Sequence, residues 1–195
     1  MQKSKRNNLL KLIIIALLST ISLVLFFINF PLPFLPTPYL KVDFSDVPAL
    51  IASLIFSPIA GIVVVGFKNL LYLAVSGSGD PIGVLSNFIA GVMLVVPVSM
   101  IYHRIKGIKG LITGLVIGTI VMAVGMSILN YYLILPAYGW FMGWEMSNQV
   151  KWISVIAGVL PFNMLKGVFI AVLFIPLFIK LHAWLQQQQT RFSIK

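Results

Sequence analysis

The feature that most constrains this chain is a series of apolar runs, several of which reach about 18 residues, the length a helix needs to cross a bilayer. Of its 195 residues 59% are hydrophobic and only 9% are charged, against about a quarter charged in an ordinary soluble domain. Too few polar side chains remain to cover a water-facing surface. The chain therefore reads as all-α: a six-helix integral membrane bundle, one membrane domain over residues 1–195.

The breaks between runs are legible. A first helix over Leu9–Phe30 ends at Pro31, Pro33, Pro36 and Pro38, since proline removes a backbone donor and stops a helix. Lys5 and Arg6 precede this run as they would in a signal peptide. No small-x-small cleavage site precedes Pro31, so a retained helix is expected. A second helix starts at Ser45 or Asp46, either of which can cap it, and stops at Ser57–Pro58. With about 12 residues it is too short to span alone. The third runs Pro58–Val75 into the turn cluster at residues 76–81. The fourth covers Gly83–Tyr102, the fifth Leu111–Leu135, ending before Pro136, and the sixth Ile153–Leu181. A polar tail, 182–195, follows, frayed from Gln186 onwards. No internal repeat stands out, as the inverted repeats of many secondary carriers would.

Charge sets the expected orientation. The net charge is +10, from 14 Lys and Arg against four acids. Lys3, Lys5, Arg6, Lys11, Arg104, Lys106, Lys109, Lys180, Arg191 and Lys195 all lie at the ends of apolar runs. That pattern suits cytoplasmic loops rather than nucleic-acid binding. Six crossings put both termini and the 103–109 loop on this basic side. Asp43, Asp46, Asp80 and Glu145 fall in the opposite, outer loops, which leaves no carboxylate clearly inside the membrane.

Two lysines interrupt apolar helices, Lys68 and Lys166. A charge at the bilayer centre costs at least about 2.5–3.5 kcal/mol, so it must face a cavity or a partner. Asn163 lies three residues before Lys166 on the same helix face, next to Pro161, and Asn130 lies near the outer end of the fifth helix. These groups read either as an interhelical hydrogen-bond cluster with snorkelling lysines or as the floor of a binding cavity. The outer loops add Phe34, Tyr39, Phe44, Tyr138, Trp140, Phe141 and Trp144, which form an interfacial belt or a cover over that cavity. Planar rings above amide and ammonium donors suit a flat, uncharged, hydrogen-bonding ligand. Gly110, Gly114 and Gly118 allow close helix packing. Ala16 and Thr20 form a small-x-x-x-small pair that docks a helix, from this chain or from another subunit.

Catalytic signatures are missing. His103 and His182 sit at helix ends, and there is no H-E-x-x-H, G-x-S-x-G or phosphate-binding loop. With no cysteine, thiol chemistry and disulfides are excluded. Energy for any active transport must come from elsewhere.

The same residues carry a resemblance. Tyr39-Leu-Lys-Val-Asp-Phe-Ser-Asp-Val-Pro48, Lys68-Asn-Leu-Leu71, Gly79-Asp-Pro81, Ser127-Ile-Leu-Asn-Tyr131 and Pro161-Phe-Asn-Met-Leu-Lys-Gly167 follow one another over almost the whole chain. In this order they resemble the riboflavin-binding S components of energy-coupling factor (ECF) transporters. The resemblance implies a six-helix fold in the bacterial cell membrane, with riboflavin or FMN as transported ligand and no cofactor or metal. It implies Asn130, Asn163 and Lys166 as polar flavin contacts, and Tyr39, Leu40 and Phe44 in a Pro-rich outer loop, 31–45, that caps the ligand. Glu145 is carried over as a further contact. Ala16 and Thr20 stand where the family commonly has Ala-x-x-x-Ala against a membrane coupling protein, with two cytoplasmic ATPases as further partners.

Overall fold

The computed structural model describes residues 2–77, 80–143 and 146–193. Helix α1 spans Gln2–Phe27 and is followed by two short strands, β1 (Asn29–Pro31) and β2 (Lys41–Asp43). Then come α2 (Asp46–Ile55), α3 (Pro58–Ser76), α4 (Pro81–Arg104) and α5 (Ile108–Leu129). The last two rods are compound. Helix α5 continues through a π-helical turn, Asn130–Ile134, into α6 (Leu135–Met142), and α7 (Asn148–Ile153) continues through a second, Ser154–Val159, into α8 (Leu160–Ser193). Counting each rod once, the chain is the expected six-helix bundle, and five of the helices are long and apolar enough to cross a membrane.

The exception is α2, about 15 Å long at 1.5 Å per residue. It is also the helix most enclosed by others: every residue but Ile51 is buried, and it touches α1, α3, α4 and α8. Neither expected cap acts as one, since Ser45 makes no side-chain capping bond and Asp46 is spent on an ion pair. The chain reaches the start of α2 through the β1–β2 hairpin, paired antiparallel as Asn29↔Asp43, Phe30↔Val42 and Pro31↔Lys41. The first helix therefore stops at Phe27, before the prolines, because the next residues pair with 41–43. Leu32 and Val42 of the hairpin form a small core with Phe162 of α8.

Proline does not end the fifth rod. Pro136 and Pro161 each stand two residues past a π-helical turn. There the hydrogen-bond ladder is already changing register, so a missing N–H disturbs it least. The sixth rod begins earlier than the apolar run suggests, because Ser147 caps α7 by accepting from Val150 N. It also runs past Leu181 to Ser193, where a frayed tail was expected. Gln189 donates to the Leu54 carbonyl, and Phe192 meets Phe56 edge-on at 4.9 Å.

These contacts define one end of the bundle. Lys11 lies 5.4 Å from the Phe56 ring, and His103 Nε2 donates to the Ser53 carbonyl. The last turn of α2 thus gathers the first half of α1, the end of α4 and the end of α8, with their basic residues. Gly114 and Gly118 meet Val98 and Leu94 of α4 so closely that a Cβ would lie 3.0 Å from the Val98 backbone and 2.8 Å from the Leu94 carbonyl oxygen.

Candidate substrate-binding site

The opposite half of the bundle encloses a cavity of about 460 Å³, within the range of small-molecule sites. Its floor comes from the two compound rods. Asn130 stands at the first π-helical turn, and Asn163 and Lys166 follow the second; all three line the cavity and are buried. Single π-helical turns inside α-helices frequently mark functional sites. Asn130 donates one amide N–H to the Met126 carbonyl and Asn163 one to that of Val159, both at 2.8 Å. A second N–H and the amide oxygen of each are then left over.

Lys166 is not a lone charge. Its Nζ lies 3.2 Å from Asp43 Oδ2 and 3.3 Å from Asp46 Oδ2. An ammonium has three N–H groups, so two that face carboxylates leave one over on a residue that lines the cavity. Lys68 completes the group by donating to Asp46 Oδ1 at 2.7 Å. Two carboxylates and two ammoniums balance, and all four residues are buried. The placement of Asp43 and Asp46 in an outer loop is therefore corrected: β2 and the first turn of α2 descend into the bundle and carry both acids with them. Lys68 and Lys166 do not snorkel, because their counter-charges are inside.

The walls are aromatic and amide. Phe26 and Tyr72 line one side, their ring centroids 4.4 Å apart, and Phe162 lines the cavity too. Tyr39 and Leu40 line it from the hairpin. At the start of α4 Asp80 caps the helix through Gly83 N at 2.8 Å and accepts from the Tyr138 hydroxyl at 2.9 and 2.8 Å. Asn87 lines the cavity, and its Oδ1 is buried without a hydrogen-bond partner. The floor thus offers the Lys166 ammonium and two amides, while Asp80 and the Asn87 oxygen add acceptors elsewhere in the lining. The hairpin is pressed onto the sixth rod at Gly158, where any Cβ would strike the Thr37 side chain.

Of the residues singled out from sequence, Tyr39, Leu40, Asn130, Asn163 and Lys166 come together here. Phe44 is outside the lining and packs 6.4 Å from the Phe30 ring. Glu145 and Trp144 lie outside the described residues. Phe34, Trp140 and Phe141 are exposed; of the loop aromatics, Tyr39 and Tyr138 reach the cavity. Sequence reasoning missed Asn87 and the Asp80–Tyr138 pair. An Asn inside the apolar run of α4 was a usable signal for the first. Asp80 read only as a turn residue until α6 brought Tyr138 to it. Ala16 and Thr20 are exposed, with Thr20 Oγ1 donating to the Ala16 carbonyl at 3.0 Å. Among the described residues, no other helix covers them.

A family model described as ECF transporter, substrate-specific component, matches residues 10–178. The chain belongs to this family. The S component is similar to the riboflavin transporter FmnP of Bacillus subtilis (strain 168), with 48% identity over 183 residues, 92% of this chain and 96% of that one. It is also similar to the riboflavin transporter RibU of Staphylococcus aureus (strain TCH60), 46% identical over 188 residues, 96% and 95% of the two chains. A solved structure of the S component of a bacterial ECF transporter matches with a TM-score of 0.77 and 46% identity, covering 90% of this chain and 96% of that one. S components are transport subunits rather than enzymes, in keeping with the missing catalytic signatures.

Proposed function

We propose that this S component binds riboflavin in the cavity and imports it together with a membrane coupling protein and two cytoplasmic ATPases. Support comes from the names of its relatives and, within this chain, from the floor where Asn130, Asn163 and Lys166 converge. The edge of an isoalloxazine ring carries carbonyl and ring-nitrogen acceptors, which suit the donors of the floor. Its flat apolar face suits Phe26, Tyr72 and Phe162. A ribityl chain carries hydroxyl donors, which suit Asp80 and Asn87 near the outer end. Tyr39 and Leu40 close the hairpin over the ligand.

The basic end faces the cytoplasm in this reading, as positive-inside bias requires, and the hairpin faces outside. Ala16 and Thr20, on the exposed face of α1, dock the coupling protein. Purification tests the ligand directly. The protein released from cells in mild detergent should be yellow, and added riboflavin should lose fluorescence on binding, with FMN compared side by side. A colourless protein that quenches neither flavin refutes the assignment.

A further inference from the structure

Behind the cavity lies a polar group that does not touch it. Lys68 is fully buried and absent from the lining, so it makes no direct contact with a ligand there. Its ammonium has three neighbours, and each leads forward to the cavity. It donates to Asp46 Oδ1 at 2.7 Å, and the other oxygen of Asp46 faces Lys166 Nζ at 3.3 Å. It donates to Ser45 Oγ, which in turn donates to Asp43 Oδ1, and the second oxygen of Asp43 faces Lys166 at 3.2 Å. It also lies 5.1 Å from the centroid of the Phe26 ring, an attractive cation–ring distance, and Phe26 lines the cavity against Tyr72.

We propose that Lys68 is a positioning residue for the binding site. Through Asp46 and the Ser45–Asp43 relay it sets where Lys166 presents its remaining N–H, and through Phe26 it sets the aromatic wall. The physical reason is competition for lone pairs. Two buried carboxylates facing one ammonium draw that ammonium in to satisfy themselves. Lys68 engages the rear oxygen of Asp46 directly and that of Asp43 through Ser45, so Lys166 need only meet the front oxygens and stays at the cavity floor. A binding group must be held to within about 0.5 Å by supporting residues of this kind to be effective. The alternative role is charge balance alone, in which any neutral arrangement serves as well.

The inference rests on the flavin reading, so the parent protein is measured first; a parent that binds no flavin defeats that reading and not this one. Lys68→Met alone leaves an unpaired buried charge and is expected to fold poorly. Lys68→Met combined with Asp46→Asn keeps the buried group neutral and leaves the Asp43–Lys166 pair in place. Expected is a melting temperature in detergent close to the parent, riboflavin affinity weaker by about ten-fold or more, and a displaced visible absorption band for the bound flavin, because the charge near the ring has moved. Ser45→Ala changes no charge and removes only the hydroxyl of the relay; it should shift the same band and weaken binding several-fold with the fold intact. Parent affinity and parent absorption band in the double variant overturn the proposal. Should the double variant not fold, the same two parent values in Ser45→Ala overturn it.

Discussion

Replacing Lys166 by Met tests two roles of one ammonium, ion pairing with the buried acids and the proposed donation to the ligand. Met keeps most of the length and removes the charge. The ammonium stands 3.2 Å from Asp43 and 3.3 Å from Asp46, and both acids are fully buried. Without it, two carboxylates share the single charge of Lys68. Breaking a buried ion pair from one side typically costs about 3–5 kcal/mol, because the remaining charge stays buried. For a chain of this size each kcal/mol moves the melting temperature by about 2–4 °C, so a fall of about 6–20 °C is expected. Flavin binding loses a charged donor as well, about 1.5–3 kcal/mol, or roughly ten- to a hundred-fold in affinity. The two effects are separated by adding Asp43→Asn, which leaves the Lys68–Asp46 pair at 2.7 Å and restores neutrality. Thermal unfolding in detergent should then recover most of the loss, while fluorescence titration should show riboflavin still bound weakly. Recovery of affinity along with stability refutes direct donation by Lys166. A single variant that melts and binds like the parent refutes the whole account of the floor.

Four further outcomes are expected. Asn163→Ala removes a neutral donor from the floor and should weaken riboflavin binding by up to about ten-fold with little change in melting temperature; unchanged affinity by titration counts against it. Thr20→Leu adds bulk to an exposed face of α1 and should impair flavin uptake by cells while leaving binding to the purified protein intact; equal loss of both points instead to damage inside the fold. Gly158→Val would collide with Thr37 and push the hairpin from the sixth rod, so the release rate of bound flavin in stopped-flow should rise several-fold; an unchanged rate means that the hairpin does not cover the ligand. Lys106→Cys, in a chain without cysteine, should resist a membrane-impermeant thiol reagent applied to intact cells, and ready labelling reverses the orientation.

What the sequence determined by itself is what depends on local runs. Length and apolarity specify a helix whatever surrounds it, and the basic residues at the ends of runs belong together because an even number of crossings brings them to one end. Asn163 and Lys166, three residues apart on one helix, were legible as a polar patch for the same local reason, and Asn130 as its neighbour near the far end of another rod. Tertiary structure decided the rest. Asp43 and Asp46 look like loop acids in sequence, next to four prolines. They become buried counter-ions because α2 is too short to span alone, and the chain before it enters the bundle with it. The hydrogen-bond partners of Lys68, Ser45 and Asp46, lie more than 20 residues away in sequence, beyond any local pattern. Pro136 looked like a helix end, and the widened turn before it lets the rod continue. Asp80 and Tyr138 form a pair only once α6 carries the Tyr138 hydroxyl to the carboxylate that accepts from it. A charge inside a membrane protein announces from sequence that it needs an opposite charge. Which residue supplies it depends on how the helices pack, because a buried ion pair is made by distance in space and not along the chain.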